Sequence, residues 1–497
     1  MSYAIATGHR LTTDAAEQVL RDGGTAVDAV IAAACTAFVT EPVLAQPLGG
    51  GFLMLAPAQG TPKLLDGFVQ TPQRRGTEAD LDLKTITVDF GTATQDFHIG
   101  NGTTAVPTLV PALFQAHEAA GRMPMRELVA HACGLARQGF EVTDFQAFLS
   151  RVVGPILTDT PELCALHAPG GKTPEPGALM TNPALADVLE VMAVEGARFF
   201  THGEIAQALA DIPGSQIGRD EIARARPENR TPLTLKRGGQ DIALNPPPSL
   251  GGVQIALALS ALPAGADAAT TARAMLRINR LRRELRVDDH PENAPRLLEP
   301  ELVGELRRAL EHLPSTRGTT HISVIAPDGT GAALTLSNGE GNGRLLPGTG
   351  ITPNNMLGEE DLVPGGPTAW TPGRRLASMM CPMAVRDGRG GLTMLGSGGS
   401  NRIRSALTVT ALELIDRGRQ LEEAVAAPRL HVEGEKLDFE DFGDDQRREA
   451  LLSTFREATA WSEPNLFFGG VHAVRRGPRG DVAAAGDPRR AGAGATG

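Results

Sequence analysis

A glycine followed by a hydroxyl residue at the start of a strand-like stretch is the part of this sequence best suited to covalent chemistry. Thr319 follows Gly318 in the segment 317–324, RGTTHISV. A threonine hydroxyl is a weak nucleophile, but a free α-amine on the same residue activates it, and that amine exists only after the chain is cut before Thr319. Gly318 lacks a Cβ and permits the strained backbone in which the Thr319 hydroxyl attacks the preceding carbonyl. The alternative is an ordinary turn that enters a strand.

The same segment predicts a β-hairpin that brings further polar side chains to the threonine. Two strand-like runs flank Pro327-Asp328-Gly329, and Asp-Gly is a strong signal for a two-residue hairpin turn. With that turn, Thr319 pairs with Asn338 and lies next to Ser337. A hydroxyl and an amide would then face the start of the strand.

A glycine-rich junction offers backbone donors. The run 395–403, LGSGGSNRI, follows a predicted strand and precedes a predicted helix. Backbone N–H groups at such a junction can hold an oxyanion or a carboxylate. The run matches neither the P-loop nor the complete dinucleotide fingerprint, so an ordinary structural turn is the alternative.

An acidic turn offers a counter-charge for a cationic group. In the run 353–361, PNNMLGEED, three carboxylates follow two amides. Carboxylates there could clamp a substrate ammonium. A solvated acidic turn is the alternative interpretation.

Composition and charge exclude several classes of protein. The chain has 497 residues, of which 41% are hydrophobic and 4% aromatic, and its 58 Gly and 36 Pro indicate many tight turns. A net charge of −11 argues against a surface that tracks nucleic-acid phosphates and favours small-molecule chemistry. Four scattered cysteines and eleven histidines lack disulfide-framework and metal-ligand spacing. Without a signal-peptide pattern or a bilayer-length apolar run, we expect a cytoplasmic protein with no membrane or nucleic-acid partner.

Hydrophobic periodicity predicts the elements that would position these segments. Helical spacing occurs at 11–22, and 25–39 is apolar on nearly every face, which suits a helix buried between layers. From residue 319 onward the pattern is mostly β. Further helices are expected at 108–120, 126–138, 183–196, 253–262, 401–417 and 419–426, and at the surface across the charged region 271–313.

These segments occur in an order that resembles the γ-glutamyltranspeptidase family of N-terminal-nucleophile hydrolases. GGTAVDA at 23–29 and LGGGF at 48–52 resemble its helix start and glycine turn, and GTTHISV at 318–324 is the most specific motif. The other matching motifs are EP at 41–42, RQGF at 137–140, GEIA at 203–206, PPSLGG at 247–252, SM at 378–379, SGGSNRI at 397–403 and DPRR at 487–490.

The resemblance implies an α/β fold of the four-layer αββα type with a helix-rich larger fragment, made as a precursor that cleaves itself between Gly318 and Thr319. The fragments 1–318 and 319–497 would form one intertwined domain, as a heterodimer or a dimer of heterodimers. The reaction would be cleavage of γ-glutamyl amides such as glutathione through an acyl-threonine ester. The partner would be a small-molecule amide, and no metal or organic cofactor would be required.

The resemblance also implies roles for individual residues. Thr319 would be the nucleophile and its new α-amine the base. Gly398 and Gly399 would donate N–H groups to the oxyanion. The remaining site residues would be Thr335 and Ser337, which orient the nucleophile and its amine, Asn338 and Ser378, which bind substrate, and Glu359 or Glu360, which holds the substrate α-ammonium.

Two departures from the family pattern bear on substrate and outcome. The family's substrate-anchoring arginine lies in a motif resembling DFRExAP, whereas this chain reads DGFVQTP at 66–72, with Phe68 at the arginine position. Loss of an arginine-to-carboxylate fork weakens the case for γ-glutamyl recognition. The stretch 361–377 is short for a lid, which favours hydrolysis over transfer to an amine. The alternatives are a same-fold amidohydrolase or acylase for a non-glutamyl amide, and a non-catalytic binding protein of this fold.

Overall fold

The computed structural model describes residues 2–89, 94–287, 290–300, 302–303, 319–363 and 365–497. Gly318, and with it the predicted cleavage bond between Gly318 and Thr319, lies outside the described residues. The predicted helical segment at 304–313 also lies outside them. Thr319 itself is described.

The strands form two large sheets and three small ones within these ranges. In chain order they are β1 Ala4–Thr7, β2 Gly50–Ala56, β3 Lys63–Gly67, β4 Lys84–Asp89, β5 Thr94–Ile99, β6 Phe140–Glu141, β7 Leu179–Met180, β8 Glu228–Arg230, β9 Leu233–Arg237, β10 Gln240–Leu244, β11 Thr320–Ile325, β12 Gly331–Ser337, β13 Met383–Arg386, β14 Leu392–Gly398, β15 Leu430–Glu433, β16 Lys436–Glu440, β17 Glu457–Trp461, β18 Gly470–Arg476, β19 Val482–Ala485 and β20 Ala493–Thr496.

The helices are concentrated before residue 319. In chain order they are α1 Arg10–Arg21, α2 Ala26–Thr40, α3 Leu109–Ala120, α4 Met125–Gln138, α5 Asp144–Val152, α6 Gly154–Leu157, α7 Pro161–His167, α8 Pro183–Glu195, α9 Arg198–Thr201, α10 Glu204–Asp211, α11 Arg219–Arg224, α12 Leu250–Ala261, α13 Ala268–Glu284, α14 Arg402–Ile415, α15 Leu421–Ala426 and α16 Asp445–Thr454. The prediction that the 271–313 region lies at the surface is wrong for α13, because α13 buries Ala272, Met275 and Leu276 in a small core that it shares with β15.

The two large sheets pack face to face between helical layers. The first sheet has the described order β20-β1-β11-β12-β2-β3-β8, and the second has the order β19-β18-β14-β13-β10-β9. β11 contacts β14 and β18 of the second sheet. α2 covers β11 and β12 from outside, while α12 and α14 cover the second sheet. This is the predicted four-layer αββα arrangement.

The buried helix α2 follows from a strong local start signal. Thr25 and Asp28 form a capping box, in which the Thr25 hydroxyl accepts from the Asp28 N–H at 3.1 Å and the Asp28 carboxylate accepts from the Thr25 N–H at 2.8 Å. The same carboxylate accepts from the Arg122 N–H at 3.0 Å. Every residue of α2 is buried, so this helix forms the support beneath β11.

The loop between β11 and β12 differs from the predicted two-residue turn. The Ala326 N–H donates to the Thr330 carbonyl at 2.9 Å, so residues 327–329 form a three-residue loop. The Asp328 carboxylate accepts from the Thr330 N–H at 2.9 Å. Aspartate side chains stabilise turns in this way, and here the bond favours the longer loop.

The longer loop moves the hairpin register by one residue. Thr320 pairs with Leu336, and extension of this register by one residue brings Thr319 opposite Ser337. The predicted pairing of Thr319 with Asn338 is therefore wrong. Because side chains alternate between the faces of a strand, the one-residue change decides which hydroxyl shares a face with Thr319.

Candidate active site

A cavity opens beside the start of β11. Its lining residues come from both predicted fragments, 1–318 and 319–497. The lining residues are Phe68, Leu250, Thr319, Ser337, Met356, Glu359, Asp361, Leu362, Ala377, Ser378, Met379, Met380, Ser400, Asn401 and Ile403. The cavity thus brings the predicted residues Thr319, Ser337, Glu359 and Ser378 together.

The backbone carbonyl of Thr319 is closely approached by Arg490 and Gly398. Thr319 is only 3% exposed, and its carbonyl accepts a hydrogen bond from Arg490 Nη1 at 3.3 Å. A Cβ on Gly398 would overlap the Thr319 carbonyl oxygen and lie 2.9 Å from the carbonyl carbon. Only glycine therefore fits at position 398 without displacing Thr319.

Position 399 also requires glycine, because of its backbone conformation and a close neighbour. Gly399 has a φ of +115°, a conformation that favours glycine, and a Cβ there would lie 2.8 Å from the Gly469 Cα. The Ser397 hydroxyl donates to the Gly398 carbonyl at 2.8 Å, which fixes the intervening peptide. The segment that enters α14 thus passes directly against Thr319, and its N–H groups belong to the type of junction that stabilises anions.

A buried hydrogen-bonded chain lies next to this segment. His321 Nδ1 lies 2.7 Å from the Thr335 hydroxyl, and His321 Nε2 lies 2.8 Å from the Ser323 hydroxyl. Burial, reinforced by the nearby His472, holds the pKa of His321 well below its ordinary value, so the ring is neutral. Thr335, a predicted orienting residue, pairs with His321 and does not line the cavity.

A buried carboxyl group lies behind the residue that follows Thr319. Glu41 accepts from the Thr320 hydroxyl at 2.7 Å and from the Thr12 hydroxyl at 3.4 Å. Burial raises the pKa of Glu41 to about 7 against the opposing effect of these bonds and of Arg490. Glu41 therefore ties the start of β11 to the end of α2.

The DPRR motif supports the backbone carbonyl of Thr319. The Asp487 carboxylate accepts from Arg429 Nη2 at 3.1 Å and from Arg489 Nη1 at 3.1 Å. Arg489 also donates to both carboxylate oxygens of Glu440, at 2.7 and 2.5 Å. This network fixes the short helix Pro488–Arg490, whose last side chain bonds to Thr319. Burial lowers the pKa of Arg490 to about 10, so the guanidinium remains charged at neutral pH.

The acidic turn contributes two carboxylates to the cavity. Glu359 is 6% exposed and lines it, whereas Glu360 is exposed and does not. Asp361 also lines the cavity and accepts from Asn401 Nδ2 at 3.0 Å. The sequence left the choice between Glu359 and Glu360 open, and burial distinguishes them.

The two remaining predicted binding residues differ in position. The Ser378 hydroxyl accepts from the Met380 N–H at 3.1 Å beside the cavity. Asn338 is fully buried outside the cavity lining, and its Nδ2 donates to the Thr352 carbonyl at 3.1 Å. The structure therefore brings Ser378, but not Asn338, to the cavity wall.

Phe68 forms an apolar wall at the position where the sequence comparison expects an arginine. It is buried, and its ring stacks on Phe52 with centroids 5.4 Å apart. Arg375 donates to the Phe68 carbonyl, but its guanidinium lies 3.7 Å from Asp66 and 3.5 Å from Glu228. Arg375 is absent from the lining of the cavity, so it does not replace the missing arginine there.

Within the described part of the chain, no group of three or more His, Cys, Asp or Glu residues is arranged to hold a metal ion. No helix in that part is long and apolar enough to cross a membrane.

Sequence reasoning assigned no role to several residues that contact the site. The sequence places Arg490, Glu41 and His321 only within motifs that resemble the family. Their contacts join residues 171 and 279 positions apart in the first two cases. Neither local spacing nor periodicity reports such contacts, although a glutamate in an otherwise apolar segment, such as Glu41 in FVTEPVLA at 38–45, is a usable signal.

Comparisons with known proteins agree with this geometry. A family model described as gamma-glutamyltranspeptidase matches residues 12–497. The Acylase ACY 1 proenzyme of Pseudomonas sp. strain SE83 is 28% identical, with 97% of this chain and 91% of that protein covered. The Glutathione hydrolase proenzyme of Escherichia coli K12 is 26% identical, with 98% and 90% covered.

A solved structure shares the whole fold. The cephalosporin acylase from Bacillus halodurans has a TM-score of 0.86 at 22% identity, with 99% of this chain and 95% of that chain covered. At this identity the likeness supports the fold alone. Together with the family match over nearly the whole sequence, it establishes that the chain is a hydrolase of the γ-glutamyltranspeptidase family, with the N-terminal-nucleophile fold.

Proposed function

We propose that this protein is a self-processing threonine amidohydrolase that cuts itself between Gly318 and Thr319 and then uses Thr319 as its nucleophile. The observation that carries the proposal is the contact between Thr319 and Gly398 at the wall of the cavity. A nucleophile next to a glycine backbone is what an acyl-transfer site requires, since only glycine lets N–H donors come this close.

The two fragments would remain one folded unit after the cut. In the first sheet, β11 of the second fragment pairs with β1 of the first, and β12 pairs with β2. In the second sheet, β13 pairs with β10. Separation of 1–318 from 319–497 would break these ladders, so the product is a heterodimer with continuous sheets.

The proposed reaction has two steps, acylation of Thr319 and hydrolysis of the resulting ester. The Thr319 hydroxyl attacks the amide carbonyl and passes its proton through the α-amine to the departing amine, so that a C–O ester bond replaces the C–N bond. The N–H groups of Gly398 and Gly399 stabilise the tetrahedral oxyanion in this step. Water then attacks the ester, with the α-amine as base, and releases the carboxylic acid and Thr319.

Hydrolysis is favoured over transfer to an amine. Within the stretch 361–377, Trp370 is buried and the Thr371 carbonyl accepts a hydrogen bond from the Thr71 hydroxyl at 2.7 Å, so these two residues are held against the body of the protein. A segment packed in this way supports an acyl-enzyme that water reaches readily.

The cavity favours an acylase-type amide over a γ-glutamyl amide. Phe68 presents a ring where a substrate α-carboxylate would need a cation, and burial of an unpaired carboxylate is unfavourable. Cleavage of γ-glutamyl amides is the second candidate, and the observation in its favour is Glu359, which could hold an α-ammonium.

Electrophoresis of freshly purified protein tests self-processing. We expect two fragments from the wild type, one chain from Thr319→Ala, and two fragments from Thr330→Ala, a control at the residue that follows the hairpin loop. N-terminal sequencing of the smaller wild-type fragment should begin at Thr319. A wild-type chain that stays intact after prolonged incubation would refute the proposal.

A further inference from the structure

The side chains that line the cavity beside Thr319 have a consistent chemical character. Eight of the fifteen are apolar, among them Phe68, Met356 and Met379. Among the described residues of the lining, Glu359 and Asp361 are acidic and none is Lys, Arg or His. The polar part of the cavity is therefore rich in hydrogen-bond acceptors and poor in positive charge.

Asn401 adds an acceptor that is fixed in orientation. It is 1% exposed, and its Nδ2 donates to Asp361. Because an ionised carboxylate only accepts hydrogen bonds, this contact identifies the nitrogen and leaves Oδ1 as the other end of the amide. Asn401 Oδ1 is buried and has no hydrogen-bond partner within the described ranges. A buried acceptor of this kind is stabilised by a donor on whatever fills the cavity.

Two buried arginines lie close to the residues of the site, and the charge of the nearby Asp361 stabilises the Arg402 guanidinium. Arg490 directs Nη1 to the Thr319 carbonyl, and the Arg402 guanidinium lies 4.2 Å from the centre of the Phe467 ring. Neither lines the cavity. Among the described lining side chains, a bound carboxylate would therefore meet two carboxylates and, as donors, only hydroxyl and amide groups, whereas a bound ammonium would meet several acceptors.

The part of the substrate that stays longest in the cavity is the acyl group. It remains attached to Thr319 through both steps, while the amine must leave and water must enter. A wall of mixed apolar and acceptor groups next to the nucleophile suits the part that stays.

We propose that the acyl group carries an ammonium and no carboxylate, and that Asn401 Oδ1 and the Glu359 carboxylate accept hydrogen bonds from it. This inference deepens the proposed function and rests on it. It assigns Asn401 as a specificity-determining residue, with Asp361 as the residue that orients it. The apolar wall at Phe68 takes the chain of methylene groups that carries the ammonium.

Four p-nitroanilide substrates test the contributions of the ammonium and the carboxylate separately. The γ-glutamyl compound has an ammonium and a carboxylate, the 4-aminobutyryl compound only the ammonium, the glutaryl compound only the carboxylate, and the butyryl compound neither. We expect kcat/KM for 4-aminobutyryl p-nitroanilide to exceed the other three by about tenfold or more, as a charge-assisted hydrogen bond provides. Thr319→Ala supplies the background rate for each compound.

Three variants locate the recognition. Glu359→Gln and Asn401→Ala should each lower the ratio of kcat/KM for the 4-aminobutyryl compound to kcat/KM for the butyryl compound by about tenfold. Glu463→Gln removes an exposed carboxylate far in sequence from the cavity residues and serves as the charge-matched control. An equal loss on both compounds would mean general damage to the site and would contradict the assignment.

The outcomes separate this inference from the proposed function. Faster cleavage of the glutaryl or γ-glutamyl compound, or equal cleavage of the butyryl compound, overturns the inference and leaves the amidohydrolase intact. A chain that is processed but cleaves none of the four compounds also overturns it, and self-processing still stands. A chain that is never processed overturns the proposed function and the inference together.

Discussion

The contact between Gly398 and Thr319 makes Gly398→Ala a sharp test of how the nucleophile is positioned. The new Cβ would overlap the Thr319 carbonyl oxygen and lie 2.9 Å from its carbonyl carbon. Carbon atoms in contact normally lie about 3.5–4.0 Å apart, so one of the two backbones must move by roughly 0.6–1.1 Å or more. β14 is paired along its length with β18, and we expect Thr319 to be the part that yields.

The expected magnitude follows from this displacement. A misplacement of about 1 Å at reacting atoms costs about 10²-fold in rate, which corresponds to about 2.7 kcal/mol in the activation free energy. Overpacking of a tight site also costs about 1–3 kcal/mol of folding stability. Gly398→Ala should therefore cleave itself and turn over amide at least about 10²-fold more slowly, while it remains folded.

The assay compares rates with folding in the same samples. Self-cleavage is followed by electrophoresis from the earliest purification step, amide turnover by anilide release, and folding by thermal unfolding. Gly134→Ala is the matched control, because no heavy atom lies within 4 Å of the new Cβ and the residue is in α4; alanine there should stabilise by up to about 1 kcal/mol. If Gly398→Ala processed and turned over within threefold of wild type, the positioning argument would be wrong.

Three further predictions use the buried charges. Burial raises the pKa of Glu41 to about 7, so between about pH 4.5 and pH 7 the folded state binds more protons than the unfolded state. The protein should therefore lose stability as the pH rises through that window. Thermal unfolding should show this loss in the wild type and not in Glu41→Gln. Asp487→Ala leaves Arg429 without its buried partner at 3.1 Å, and chemical denaturation should report a loss of about 3–5 kcal/mol, whereas Asp14→Ala, which breaks an exposed pair with Arg10, should change stability by at most about 1 kcal/mol. Thr319→Ser keeps a hydroxyl and an α-amine and should still produce two bands on electrophoresis; an intact serine chain would contradict the role of the hydroxyl.

Local features of the site could be predicted from the sequence because neighbouring residues determine them. The capping box of α2, the hairpin and the glycine junction before α14 each depend on a few adjacent residues. The hairpin register could not be fixed in the same way. The Thr330 N–H bond to Asp328 favours a three-residue loop over the Asp-Gly turn, and one residue is enough to exchange Asn338 for Ser337 opposite Thr319.

Contacts between residues far apart in the sequence could not be predicted, for a different physical reason. Nothing near Arg490 in the sequence shows that its guanidinium reaches the Thr319 carbonyl, and nothing near Glu41 indicates that it accepts from Thr320. Both side chains are charged groups whose burial is compensated only after the sheets have assembled. The choice between Glu359 and Glu360 has the same origin, since burial is a property of the packed fold.

The sheet topology explains how the proposed cut can occur without loss of the fold. β11 begins at Thr320, one residue after the nucleophile, and its ladders run to β1 on one side and β12 on the other. No ladder bond in the described sheets depends on the peptide before Thr319, so the cut removes chain connectivity but no strand pairing. The new α-amine would then sit at a strand end held by Gly398 and Arg490. Because the nucleophile and its base are on one residue, fixing that residue at the start of β11 positions both groups. The start of a strand is therefore a suitable place for the cleavage.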